Sequence, residues 1–363
     1  MKVLHLPANV AGNAFGLAQG ERLLGLDAKA LSIGESHYYF PSDIIIPAKK
    51  KLLQQLYYRI KTFLKIRKQY DVYHFNFGAS LIHYLNYGLN LAELPFYNSK
   101  ALKVVTYQGC DARQKYPTMQ RIQQRGKGQA ACFNKDCYQG ICNSGRRDTM
   151  RQKAIEKMMQ HCAHAFALNP DLLYFLPKEK ATFLPYTIPN FDAIAPKTEN
   201  FFQNDKIRIV HAPTQRVTKG SAFVLQAIES LQQQFPNKIE FQLVENLPYD
   251  QALQVYRSAD LVIDQLLIGW YGGLAVEVMK MGIPVMAYIN EDDLHFLPEG
   301  FARDIPIINA DPHTLVQQLT AIIREREQLI EIGANSLRFV DTWHHPKYVA
   351  SLTKQVYEQC AVF

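Results

Sequence analysis

Apolar positions follow two rhythms along this chain. Short unbroken runs such as KVLHL (2–6), DVYHFNF (71–77), ALKVVTYQG (101–109), IRIVHA (207–212) and ADLVIDQL (259–266) predict strands buried on both faces. Between them lie stretches whose apolar residues recur every three or four positions, which predict helices at 149–160, 221–234, 249–258 and 273–281. Further strands are expected at 28–33, 164–169, 181–186, 239–245 and 284–289, a long amphipathic helix at 48–69, and a last helix near 346–359. Repeated strand–helix–strand units mean parallel sheets covered on both faces, so the fold class is α/β. The alternation breaks once, at the polar and irregular stretch FDAIAPKTENFFQNDK. The expected organisation is a first Rossmann-like domain over 1–190, with a cysteine-containing insertion at about 110–148, and a linker over 191–206. A second such domain covers 207–342 and a C-terminal helical segment 343–363. Two tandem domains of this kind face a central cleft at the carboxyl ends of their sheets.

Length agrees, since 363 residues are too many for one ordinary core. A hydrophobic share of 48% and a charged share of 20% belong to a globular protein. No apolar run approaches the roughly 20 residues that cross a bilayer, and Pro7 and Gly12 interrupt the N-terminus before a signal-peptide core forms. The expectation is a cytoplasmic protein, with a peripheral position on the inner face of the membrane left open. A net charge of +7 suits an anionic partner: nucleic acid, membrane surface or phosphorylated ligand. Nucleic acid is set aside because no recognition motif accompanies the charge.

Three loops carry the candidate chemistry. Gly12 and Asn13 follow the first strand, where a glycine lets backbone amides approach an anion at a helix start; a turn glycine without a ligand fits equally well. In RIVHAPTQRVTKGSAF, Arg216 and Lys219 stand on the turn between a strand and a helix. There they can grip two phosphates, Arg by its planar fork and Lys as a point charge, although an isolated basic pair is more often solvated surface. In IGWYGGLAVEVMKMGIPV, the backbone of Gly272, Gly273 and Leu274 opens a helix, and Glu277 sits one turn inside it. Glycines suit close approach to a ligand, and a carboxylate in an otherwise apolar helix suits vicinal hydroxyls such as a ribose. A buried structural ion pair is the other reading of Glu277. Taken together, these residues suggest a nucleotide diphosphate sugar as donor.

The text HAPTQRVTKGS, the run SADLVIDQLLIGWYGGLAVEVMKMGIPV and the C-terminal helix resemble the GT-B-fold glycosyltransferases, and among them the retaining, glycogen-synthase-like family four enzymes. The resemblance implies that Arg216 and Lys219 bind the donor diphosphate and Glu277 the nucleotide ribose. It puts Gly12 and Asn13 near the donor phosphates, and the Gly272–Leu274 backbone near diphosphate and sugar. It also implies that the last helix crosses back onto the first domain, and that a hexosyl group passes to a saccharide or lipid-linked saccharide acceptor without a required cofactor or metal. Two positions depart from the family pattern. Gly269 stands where the earlier glutamate of an E-x(7)-E motif belongs, and Gln108 lies nearest the place of a sugar-contacting histidine. Asp111, just beyond, is the first carboxylate to test as a catalytic group, with an ordinary loop cap as its equal alternative. A nucleotide-sugar epimerase and a nucleotide-sugar-binding protein without turnover share the same residues and stay open.

Two features lie outside this site. In AKKKLLQQLYYRIKTFLKIRKQY, residues Leu52, Leu53, Leu56, Ile60, Phe63 and Leu64 are expected to pack on the sheet. The opposite basic face (Lys50, Lys51, Lys61, Lys65, Lys68) is either solvated or set against anionic lipid headgroups. Cys132, Cys137 and Cys142 follow a C-x4-C-x4-C spacing with Cys110 upstream, which lacks the paired knuckles of structural zinc. Thiols around an acceptor loop are favoured there over a zinc staple, and a disulfide framework is not expected of a cytosolic chain.

Overall fold

The computed structural model describes residues 1–34, 40–48, 51–84, 89–126, 130–197 and 199–360. Strand β1 (Lys2–Leu6) leads to α1 (Asn13–Leu23), β2 (Asp27–Ile33), β3 (Ile44–Ile46), α2 (Leu52–Ile66), β4 (Val72–Asn76) and β5 (Leu102–Tyr107). Helices α3 (Lys115–Gln124) and α4 (Arg146–Met159) precede β6 (His164–Ala167) and β7 (Ala181–Phe183). These strands form one parallel sheet in the order β3-β2-β1-β4-β5-β6-β7. The order runs outward from β1 and reverses between β1 and β4, the doubly wound arrangement expected when helices cover both faces. Every residue of β4 is accordingly buried.

The second sheet begins with β8 (Ile207–His211), α5 (Arg216–Lys219), α6 (Ser221–Gln234), β9 (Ile239–Leu243), α7 (Tyr249–Ser258) and β10 (Leu261–Ile263). It continues through α8 (Gly273–Lys280), β11 (Val285–Ala287), α9 (Phe301–Asp304) and β12 (Ile308–Asn309) to α10 (Leu315–Arg324) and α11 (Gln328–Trp343). Its parallel order is β12-β11-β10-β8-β9, so chain order reverses between β8 and β10. Helix α6 seats Val224, Ala227, Ile228 and Leu231 on the core beside Leu315, Leu319 and Ile322 of α10, the three- and four-residue spacing of one helical face. Among the described residues no helix is long and apolar enough to cross a membrane.

Helix α12 (Pro346–Cys360) packs on α1 in the first unit. The approach is close enough that a β-carbon on Gly20 would stand 2.0 Å from the Pro346 carbonyl. A buried polar network joins the two helices to the sheet. Glu21 pairs with His5 at 2.8 Å and accepts the Tyr357 hydroxyl at 2.9 Å, and that hydroxyl bonds His74 at 2.6 Å. His74 completes itself on the Thr106 hydroxyl at 2.6 Å. Burial, with His5 and His164 nearby, holds His74 well below the ordinary imidazole range, so it bridges as the neutral ring. His5, Glu21 and His74 form the one set of three potential metal ligands among the described residues; Glu21 binds His5 directly and reaches His74 through the Tyr357 hydroxyl, while His5 Nδ1 has no hydrogen-bond partner among the described residues.

Several expected elements change. The chain divides by contact into Met1–Gln114, Arg147–Phe191 and His344–Phe363 on one side, and Lys115–Arg146 and Asp192–Trp343 on the other. Residues 115–146 of the cysteine-containing segment expected in the first domain thus pack with the second, where Ala131 N–H donates to the Leu267 carbonyl at 2.9 Å, while Cys110 stays with the first. The expected linker over 191–206, apart from residue 198, which lies outside the described residues, is also docked there from Asp192 onward. Lys197 is buried against Asp260 at 3.2 Å, and Phe201 and Phe202 pack on the core. Helix α2 is shorter than expected and buries only Phe63 and Ile66. Leu53, Ile60 and Leu64, expected to pack, are exposed. Lys50 of its basic face lies outside the described residues.

Candidate functional site

Ligands of open parallel sheets bind beyond the strands' carboxyl ends, where the chain order reverses. In the second sheet that place is the ends of β8 and β10. Strand β8 ends at His211, whose Nδ1 donates to the Ile263 carbonyl at 2.8 Å, so its Nε2 accepts from the Ser221 hydroxyl at 2.8 Å. Burial pushes this imidazole down, in keeping with a neutral, structural ring.

The turn after β8 is shaped by backbone geometry. Gln215 accepts the Thr218 amide at 2.6 Å and so starts α5, while Gly220, at φ +79°, makes the left-handed turn into α6. The Lys219 carbonyl accepts Leu266 N–H at 3.1 Å, pinning this turn to the segment after β10. From there Lys219 Nζ meets Asp264 Oδ1 at 2.7 Å. The other carboxylate oxygen, Oδ2, accepts the Gly272 amide at 2.9 Å. Asp264 is fully buried, so both donors converge on one internal anion. A β-carbon on Gly272 would stand in ordinary contact with the pair, 3.5 Å from that carboxylate and 3.6 Å from the ammonium. Gly273 and Leu274 continue into the first turn of α8, where backbone amides have no carbonyl one turn back to bond.

Arg216 goes elsewhere. Its guanidinium forms a two-pronged pair with Glu245, at 2.7 and 2.5 Å, on an exposed face. The two cations therefore hold separate carboxylates instead of forming one clamp. Glu277 is buried in α8 and accepts the Tyr249 hydroxyl at 2.8 Å. Burial pushes its carboxyl up to about 7, with the tyrosine hydrogen bond opposing the rise. Gly269, where the family glutamate belongs, has φ +83°. Its carbonyl accepts Asn290 N–H at 2.9 Å, and a β-carbon there would press on the Asn290 Cβ at 3.1 Å. A left-handed backbone and a close neighbour thus account for the glycine.

In the first unit, packing explains the expected loop residues. Gly12, at φ +71°, starts α1 and leaves no room for a β-carbon, which would meet Pro189 at 2.5 Å. Asn13 is buried and donates its amide to the Thr187 carbonyl and hydroxyl at 3.2 and 3.1 Å. Asp111 caps the turn after β5: its oxygens accept the Gln108 amide at 3.0 and 3.1 Å and the Gly109 amide at 2.6 Å. Burial lifts this carboxyl to about 6 against those hydrogen bonds. Gln108 itself is buried, and its Nε2 has no hydrogen-bond partner among the described residues. Cys110, Cys132, Cys137 and Cys142 are half-buried, and none belongs to the potential metal set described above.

Asp264, Glu245 and Tyr249 are absent from the sequence reading. Asp264 was visible as a lone carboxylate ending the apolar run LVID. The pairings of Glu245 and Tyr249 arise only when β9 and α7 reach the same sheet edge.

No family model matches the chain, and no curated protein does. Solved structures are similar over nearly its whole length. Sucrose-phosphate synthase from Thermosynechococcus elongatus is 14% identical, with 99% of both chains covered and a TM-score of 0.62. The catalytic domain of starch synthase IV from Arabidopsis thaliana, bound to ADP and acarbose, is 11% identical at 99% coverage of both and 0.62. Anabaena HepE in complex with UDP is 12% identical, covering 99% of this chain and 100% of its own, at 0.60. At such identities the likeness concerns the fold, and it is the fold of the GT-B glycosyltransferases.

Proposed function

We propose that this protein is a glycosyltransferase, moving a hexosyl group from a nucleotide diphosphate donor to a hydroxyl acceptor with retention. The observation that carries the reading is the convergence of Lys219 and the Gly272 amide on one buried carboxylate, at 2.7 and 2.9 Å, at the reversal point of the second sheet. Both donors are built to face an anion, and a diphosphate offers them more charge than Asp264 does. Arg216, held only by an exposed pair, can turn from Glu245 to the same ligand. Glu277 and Tyr249 form the hydroxyl-binding pair for a ribose. The leaving diphosphate would be stabilised by Lys219, Arg216 and the amides of Gly272, Gly273 and Leu274, which supply the charge complement that a metal supplies elsewhere. The UDP on HepE and the ADP on starch synthase IV support a nucleotide ligand for this fold.

Gly12 and Asn13 remain the first-unit residues proposed for the donor phosphates. Asp111 is the carboxylate to replace first when acceptor deprotonation is tested. The acceptor is a saccharide or lipid-linked saccharide of cell-surface polysaccharide or glycolipid assembly, on the cytoplasmic side, with an anionic membrane surface as a further partner. The test is a panel of UDP-, GDP- and ADP-sugars with and without such acceptors. Acceptor-dependent nucleotide release supports transfer. Donor conversion without acceptor would replace the proposal with epimerisation, and binding without turnover with a non-catalytic role.

A further inference from the structure

Helix α2 presents two apolar faces where the sequence pattern shows one. Phe63 and Ile66 are buried, Phe63 edge-on to Tyr97 with ring centroids 5.0 Å apart. A second stripe points outward: Leu53 is 80% exposed, Tyr57 59%, Ile60 38% and Leu64 57%. At 3.6 residues per turn these four positions fall within an arc of about 60°, so they form a continuous ridge along the helix. Phe96 is exposed as well, on the segment tied to the helix end by Asn98 N–H donating to the Arg67 carbonyl at 2.9 Å.

The ridge is flanked by positive charge. Residues 51–70 contain six Lys or Arg (Lys51, Arg59, Lys61, Lys65, Arg67, Lys68) and no Asp or Glu. Lys61, Lys65 and Lys68 are exposed on one flank of the stripe and Arg67 is half-buried on the other, while Arg59 turns inward to the Leu81 carbonyl at 3.1 Å. A solvated helix gains nothing from a row of exposed large apolar side chains, and a protein partner of ordinary composition does not call for an acid-free surround. An anionic bilayer matches both features: acyl chains take the ridge, and headgroups take the lysines. We infer that α2 is an interfacial membrane helix that inserts Leu53, Tyr57, Ile60 and Leu64 into an anionic lipid surface. The inference deepens the membrane-partner part of the proposed function and does not depend on sugar transfer.

Vesicle flotation tests it with the full chain. The probes are phosphatidylcholine vesicles with and without roughly one-third phosphatidylglycerol. The protein should float with the anionic vesicles only. Leu53→Ser/Leu64→Ser should weaken partitioning roughly tenfold or more, and Lys61→Glu/Lys65→Glu/Lys68→Glu should abolish it. All five substituted residues are exposed, so melting temperature and nucleotide affinity should be unchanged, which separates failure here from failure of the donor site. Three results would overturn the inference: no flotation with anionic vesicles, undiminished flotation of the Leu53→Ser/Leu64→Ser protein, or a lipid-free dimer that those serines dissolve. The last would assign the ridge to a second copy of the chain.

Discussion

Removing either cation of the second sheet should weaken nucleotide binding, but only one removal should weaken the fold. Lys219 is 14% exposed and its partner Asp264 not at all. Removing one member of a buried pair costs roughly 3–5 kcal/mol, because the other charge is left uncompensated. Here the Gly272 amide still serves Asp264 and some water reaches the lysine's place, so about 2–3 kcal/mol is expected for Lys219→Ala. For a chain of this size that is a fall in melting temperature of roughly 3–4 °C. Arg216 is 55% exposed in its pair with Glu245, and Arg216→Ala should leave the melting temperature where it is. Removing both members of the buried pair, Lys219→Ala with Asp264→Ala, should restore most of the loss. Thermal melts followed by circular dichroism read all three variants. Equal melting temperatures for Lys219→Ala and the wild type would refute the reasoning, as would a double variant less stable than the single one.

Two further outcomes follow from the same site, and a third concerns helix α2. Glu277 has its folded value raised from 4.5 to about 7, so its neutral form favours folding fully below pH 4.5 and that contribution is lost as pH rises to 7. That rise corresponds to at most roughly 3–4 kcal/mol; Glu277→Gln should flatten denaturant stability across this window, and an unchanged slope would contradict it. Gly269→Ala places a side chain at φ +83° against Asn290 and should cost about 1–2 kcal/mol in urea unfolding, whereas a neutral result would mean the turn relaxes. Flotation of the Leu53→Ser/Leu64→Ser protein, as described above, checks α2.

The sheets were legible because buried parallel strands are continuous apolar runs, and β1, β4, β5, β8 and β10 each read as one. Strands β3 and β12 were not, being three and two residues long at sheet edges. Helices α10 and α11 carry regular apolar spacing that went unread beyond the last recognised strand. Gly220 and Gly269 sit at φ +79° and +83°, where a missing side chain is favoured, whereas Gly272 is extended and has ordinary space beside it. What spacing cannot supply is the partner. Arg216 and Lys219 look equivalent three residues apart, yet one faces Glu245 near solvent and the other a buried Asp264. That difference depends on where β9 and β10 end. Polarity misled at 191–206, because Lys197 looks like linker until the buried Asp260 meets it. It misled also at α2, where leucine spacing does not reveal which of two faces meets the sheet.

The central claim is that the carboxyl edge of the second sheet binds a nucleotide diphosphate through Lys219 and its neighbours. Calorimetric titration of UDP, GDP and ADP into wild type, Arg216→Ala and Lys219→Ala tests it most directly. The account predicts saturable one-to-one binding of at least one of them, weakened roughly tenfold to a hundredfold in each variant. No binding of any nucleotide, or equal affinity in all three proteins, would contradict it.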